Sequence, residues 1–311
     1  MQVSVLASPR HACSGCGACC QGAVIHLMDG EAERLREQAV ALDVADPVDG
    51  DTIRMHKGAC AFLAENKLCR IHAEFGEDQK PTICQQFPLV WVETEAGLRA
   101  GVDPASVAWN TSQSEAAPEL KPPLVMRPRP CHLSPDQAKV EARLVHLCGE
   151  PDTTLCTVLA ALCGAKPTDD LPAGFADRWL QVVREAPLAL LLGHRSVGPD
   201  HRDTLLPVVT ELPDTPPAWP VLSPELDREA VLLIRDALYL RVVTKIPLVQ
   251  ATALLIAAGA VLCAWHNPEP AAFRRSLSLW CRTLRAGPFW QAMVPDPARL
   301  QWLATGEAPS Q

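Results

Sequence analysis

The sequence predicts a mainly α-helical protein in which a small, irregular cysteine-rich unit precedes a larger helical one. Three observations predict it. Seven of the 13 cysteines fall before residue 85, among glycines and short polar turns rather than in a long periodic run. The stretch TSQSEAAPELKPPLVMRPRP, from Thr111, is rich in Pro and Ser and reads as a linker. Beyond it, apolar residues recur at helical spacing between capping signals. The expected division is residues 1–110 as the cysteine unit, 111–130 as the linker and 131–311 as the helical domain.

The elements follow in order. Residues 1–28 read as a loop-rich cysteine knuckle, and GEAERLREQAVAL, from Gly30, as a short helix with an acidic front. Residues 50–92 carry the remaining clustered cysteines between short strands or turns, and WVETEAGLRAGV predicts a hairpin turning at Ala96-Gly97. Ser134-Pro135-Asp136-Gln137 offers a Ser cap, Pro in the first turn and Gln three residues after the cap, so a helix should run to Gly149. A second is expected over 152–163, stopping at Gly164 with Pro167 beyond. Residues 193–222, crowded with Pro, Gly and Asp, read as a long irregular connection. Ser223-Pro224 opens a strong helix, an apolar helix follows Pro247, and a last amphipathic helix carries RRSLSLWCRTLRA.

Composition excludes several classes. Hydrophobic residues make up 48% and charged residues 21%, which supplies a core and argues against wholesale disorder. The formal net charge is −8 with no Lys/Arg-rich run, so a nucleic-acid partner is not expected. The uncharged segment 246–265 approaches the ~20 apolar residues of a membrane span. Pro247, Gln250 and Thr252 interrupt it, so it is expected to be a buried core helix without stable membrane insertion. MQVSVLASPRH has neither the basic nor the apolar region of a secretory leader, and a reducing, cytoplasmic location is expected. Eight Trp against one Tyr is unusual, and core packing is the expected use of the indoles.

In a reducing compartment, clustered thiols are metal ligands rather than disulfides. The candidates are Cys13, Cys16, Cys19, Cys20, Cys60, Cys69 and Cys84. CSGCGACC places three thiols two residues apart in a turn lightened by Gly15 and Gly17. Tetrahedral zinc takes four S or N ligands. A [4Fe–4S] cluster takes four thiolates, and a Cys-x2-Cys-x2-Cys run with one remote cysteine is one way to supply them. The expected cofactor is therefore an iron–sulfur cluster or zinc. Adjacent side chains diverge, so Cys19 and Cys20 are expected to face different centres: Cys13, Cys16 and Cys19 with Cys84 in one, Cys20, Cys60 and Cys69 in another, with His72 as a further candidate. Cys131, Cys148, Cys156, Cys163, Cys263 and Cys281 are expected to be small core residues.

CSGCGACCQG, followed by GACAFLAENKLCRIHAEFGEDQKPTICQQFP, resembles the CxxCxxCC, or YkgJ-like, family of zinc- or iron-chelating proteins. IHAEFGEDQKPTICQQFP is similar to the FliB branch, the flagellin lysine N-methylases. That branch implies an iron–sulfur cluster, S-adenosylmethionine as methyl donor and a flagellin-like protein substrate. No Gly-rich strand–turn–helix loop of the dinucleotide-binding kind accompanies it. The alternatives left open are a non-catalytic metal or iron–sulfur carrier and a zinc-stapled scaffold for protein interaction; catalytic residues are not assigned.

Overall fold

The computed structural model describes residues 3–5, 15–22, 24–107, 109, 128–194, 197–219, 222–243, 246, 248–285 and 287–307. Most of the expected linker and Cys13 lie outside the described residues. The chain is mainly helical, with a cysteine-rich N-terminal region and a few small sheets, as the sequence predicts.

In the N-terminal region, α1 (Glu31–Ala41) is followed by two antiparallel pairs, β2 (Val48–Asp49) with β3 (Thr52–Ile53) and β4 (Met55–His56) with β5 (Ala59–Cys60). Two short helices come next, α2 (Arg70–Phe75) and α3 (Thr82–Gln86). A small core of Ile25, Leu27, Leu35, Ile53, Phe62 and Ile71 holds these pieces together.

A four-stranded sheet joins this region to the helices. Its order is β1 (Val3–Val5), β7 (Gly97–Val102), β6 (Leu89–Thr94) and β8 (Arg129–Pro130), with β6 and β7 forming a hairpin as expected, in the register Trp91 opposite Ala100, though its turn is Glu95-Ala96 rather than Ala96-Gly97. The hairpin is tied to the helices by charge. Arg241 pairs with Glu95 at the hairpin tip and with buried Glu141 on α4, and Arg99 of β7 pairs with the same Glu141.

The helical body comprises α4 (Pro135–Gly149), α5 (Leu155–Cys163), α6 (Phe175–Glu185), α7 (Leu188–Leu192), α8 (Pro199–Thr210), α9 (Pro224–Tyr239), α10 (Val249–His266), α11 (Pro270–Thr283), α12 (Gly287–Met293) and α13 (Pro297–Thr305). Ser134 and Ser223 cap α4 and α9 through their hydroxyls, the bonds their sequence contexts predict. α5 starts three residues later than expected, because Thr154 supplies the cap by accepting from the Thr157 N–H.

The irregular connection expected over 193–222 is a misreading: α8 occupies its centre. Pro199 sits at the start of the helix, where a missing N–H costs nothing, and Gly198 precedes it. Pro207 lies inside the helix, at a cost of ~3 kcal/mol or more for such a position. Burial of Leu205, Val208 and Val209 in the helical core offsets that cost, a tertiary effect invisible to local composition. The amphipathic helix α11 is also not the last, since two short helices follow it.

α10 is the axis of the body. By length and composition alone it could cross a membrane, yet 83% of its apolar window is buried inside the structure. Its Gly259 faces Trp280 of α11, whose indole N–H donates to the Leu255 carbonyl at 3.0 Å. Trp179 and Phe289 meet the Trp280 ring edge to face, with centroids 6.1 and 5.3 Å away. Trp91, Trp109, Trp179, Trp219, Trp280 and Trp290 are all buried, so core packing is the main use of the tryptophans. A Cβ at position 259 would lie 2.0 Å from the Trp280 ring nitrogen. Overpacking typically costs ~1–3 kcal/mol, so Gly259→Ala should reach at least the upper end of that range. Denaturant midpoints of the two proteins measure it; an unchanged midpoint would show that the α10–α11 contact yields freely.

Candidate metal centre

The turn from Gly15 to Gln21 enters the structure against the 63–68 loop. Gly17 has φ 68°, and a Cβ there would lie 2.9 Å from the Lys67 carbonyl oxygen, so both conformation and space select glycine. The chain then makes a 3-10 turn over Ala18–Cys20, in which the Cys20 N–H donates to the Gly17 carbonyl. This turn points Cys20 at the small core, where Cys69 and Cys84 also pack and which includes Cys60.

Each remaining thiol comes from a different element. Cys60 ends β5, whose hairpin turns through Lys57 and Gly58 at φ 50° and 80°. Two consecutive positive φ values are the signature of a two-residue type I′ turn. Cys69 caps α2 and bridges to Leu63. Cys84 sits in α3, and buried Glu31 holds that helix in place: its carboxylate accepts from the Thr82 N–H at 2.7 Å, the Thr82 hydroxyl at 2.8 Å and the Met28 N–H at 2.8 Å. Burial alone would push the Glu31 carboxyl up, but the Met28 and Thr82 donors outweigh it and hold its pKa below the usual value.

The electrostatics put five thiols in one neighbourhood. Cys20 feels Cys19, Cys60 and Cys69, and Cys84 feels Cys60, Cys69 and Cys19. Cys19 and Cys20 do not diverge as expected of neighbours: their sulfurs lie 3.8 Å apart. The helical φ/ψ of a 3-10 turn, rather than the alternation of a strand, allows this. The bond between them lowers Cys19 to about 6, against its burial and with help from Arg282 and Lys80. The same bond, then burial, raises Cys20. Burial pushes Cys60 up to about 11 and Cys84 well above the ordinary thiol range.

Cys16 stands apart, packed against the larger helical core. His72 is exposed on α2. Cys148, Cys156, Cys163, Cys263 and Cys281 are buried in the helical core, and burial raises each thiol, as suits the small apolar role expected of them.

The donor set fits zinc or iron. The described cysteines are all free thiols, and an all-sulfur set suits both metals. Without a cation, burial and mutual repulsion oppose ionising more than one of Cys19, Cys20, Cys60 and Cys84; a cation at their centre reverses the sign of that interaction. Among the described residues, no three His, Cys, Asp or Glu side chains already stand in ligating positions around one point. The thiols share a neighbourhood, and cysteine rotamers set the final approach.

Residues 12–113 match the family model CxxCxxCC, described as "Putative zinc- or iron-chelating domain". The match covers the cysteine region, and zinc or iron chelation is the general function it supports. No curated protein and no solved structure is significantly similar to the chain.

The sequence did not single out His201. This α8 imidazole is 3% exposed and hydrogen-bonded to the Ala18 backbone. Its Nε2 is buried with no partner among the described residues. Burial, with Arg282 as a second cause, lowers its pKa to about 4. In the unfolded chain the ring protonates near 6.5, so between pH 6.5 and 4 the unfolded state holds the extra proton. Stability should fall as pH drops through that window, by up to about 3 kcal/mol from this group. Chemical denaturation of wild type and His201→Gln at pH 7 and 4.5 isolates the effect, because acid loss of thiolate ligands is common to both. The wild type should lose more; equal losses would contradict the assignment.

Proposed function

We propose that the N-terminal region chelates zinc or iron through Cys19, Cys20, Cys60, Cys69 and Cys84, with Cys13 and Cys16 of the same sequence motif as further candidate ligands. The carrying observation is the convergence of five free thiols from four separate chain segments on one largely half-buried neighbourhood. The finer reading is a [4Fe–4S] cluster, favoured by the Cys-x2-Cys-x2-Cys run with remote cysteines. Such a cluster would supply electron transfer or an open iron; zinc would supply a structural staple. Methyl transfer from S-adenosylmethionine to lysines of a flagellin-like protein is the further step that the FliB resemblance implies, and it rests on that resemblance.

Thiolate ligation couples metal binding to folding. Anaerobically purified protein should contain stoichiometric iron with acid-labile sulfide and visible absorption, or stoichiometric zinc. Cys60→Ser and Cys84→Ser should each lower that content, and chelation should lower the unfolding temperature of the wild type. Folded wild type without metal would overturn chelation. Lysine mass shifts on a co-expressed flagellin, read by mass spectrometry, test the methylation step separately.

A further inference from the structure

Beside the thiols lies a concentration of positive charge that a single carboxylate among the described residues meets. Arg282 of α11 donates to the Cys19 carbonyl at 2.9 Å, lies 5.9 Å from the Phe87 ring centroid, and acts electrostatically on both Cys19 and Cys20. Arg285, one turn further on, acts on Arg282 and pairs with Asp103. Arg129 of β8 feels both Arg285 and Asp103, and its own hydrogen bonds go to the carbonyls of Leu240 and Arg241. Among the described residues, the bond between Arg285 and Asp103 is the one ion pair that any of these three arginines makes. The Nε atoms of Arg129 and Arg285 are buried without a hydrogen-bond partner among the described residues.

Three guanidiniums thus share one carboxylate, each of them partly withdrawn from solvent. Desolvated charge is costly unless an opposite charge meets it. Guanidinium cannot relieve the cost by losing its proton at ordinary pH. The thiols on the other side have the complementary problem once they are ionised. A divalent ion held by four thiolates carries two surplus negative charges.

We propose that Arg282, with Arg285 and Arg129 behind it, is the counter-charge of an anionic thiolate–metal centre, so that metal occupancy locks the helical body onto the cysteine region. This rests on the chelation reading. Arg282 belongs to the helical body and its partner carbonyl to the cysteine turn, so the attraction acts across the junction between them. Asp103 works against it, because among the described residues its carboxylate is the one negative group paired with the arginine set. Its removal should therefore strengthen metal binding, an outcome that loss of a merely structural ion pair would not produce.

The test uses the full chain, purified anaerobically with its metal, and titrates that metal out with a competing chelator. Arg282→Met should bind more weakly by about 10- to 100-fold, the usual range for groups that support metal ligands from outside the coordination shell. Arg282→Lys, which keeps the charge, should retain most of the affinity. Asp103→Asn should bind more tightly than wild type. Hydrogen exchange in α11 should quicken when metal is removed from the wild type. Arg282→Met holding metal like wild type, or Asp103→Asn weakened as much as Arg282→Met, would overturn the counter-charge. A wild type that holds no metal would instead remove the chelation reading and this inference with it.

Discussion

One short turn has to satisfy two cores at once, and the rest of the structure is arranged around it. Ala18 is buried in the large helical core, while Cys20, two residues later, packs against the small one. Beyond the bonds the turn makes within itself, partners come from the helical side and from the β4–β5 hairpin. Arg282 reaches the Cys19 carbonyl, and His201 bonds to Ala18. The buried Gln21 side chain accepts from the Asp200 N–H, and the Gly22 N–H donates to the Gly58 carbonyl. Lys67 and Arg275 both pair with Asp200, closing the same junction from its two sides. A turn so held cannot shift toward one core without leaving buried polar groups unpaired in the other, a penalty of ~1–3 kcal/mol for each group.

This constraint explains why small, weakly structured pieces can present their cysteines in a fixed relation. β5, α2 and α3 are too short to be stable alone, and the small core is modest. Side-chain-to-backbone bonds do the positioning instead, with Glu31 fixing α3 and the Lys57-Gly58 turn aiming β5. The tip of that turn lies against the helical body: a Cβ on Gly58 would come within 2.6 Å of the Val197 carbonyl oxygen. The sheet closes the arrangement from another direction, through the charges joining Arg241, Glu95, Glu141 and Arg99. Metal chemistry, where it occurs, would therefore be felt in α8 and α11 as well as in the cysteine loops.

The sequence by itself determined the elements whose signals are local. The Ser-Pro starts of α4 and α9, the αL glycine that ends α5 and the β6–β7 hairpin were all legible, because a cap, a stop or a tight turn is decided by a few neighbouring residues. The crowding of cysteines was legible too, since thiols at such spacing have few other uses. Tertiary structure alone decided the rest. α8 persists through Pro207 because its apolar side is buried, which composition cannot show. Cys16 packs against the helical core, and Cys19 meets Cys20 because a 3-10 turn, not spacing, sets the directions of that pair. His201 and Arg282, separated from Cys19 by well over a hundred residues and preceded by no motif, reach the site only because α8 and α11 pack beside it, and burial and charge act through space rather than along the chain.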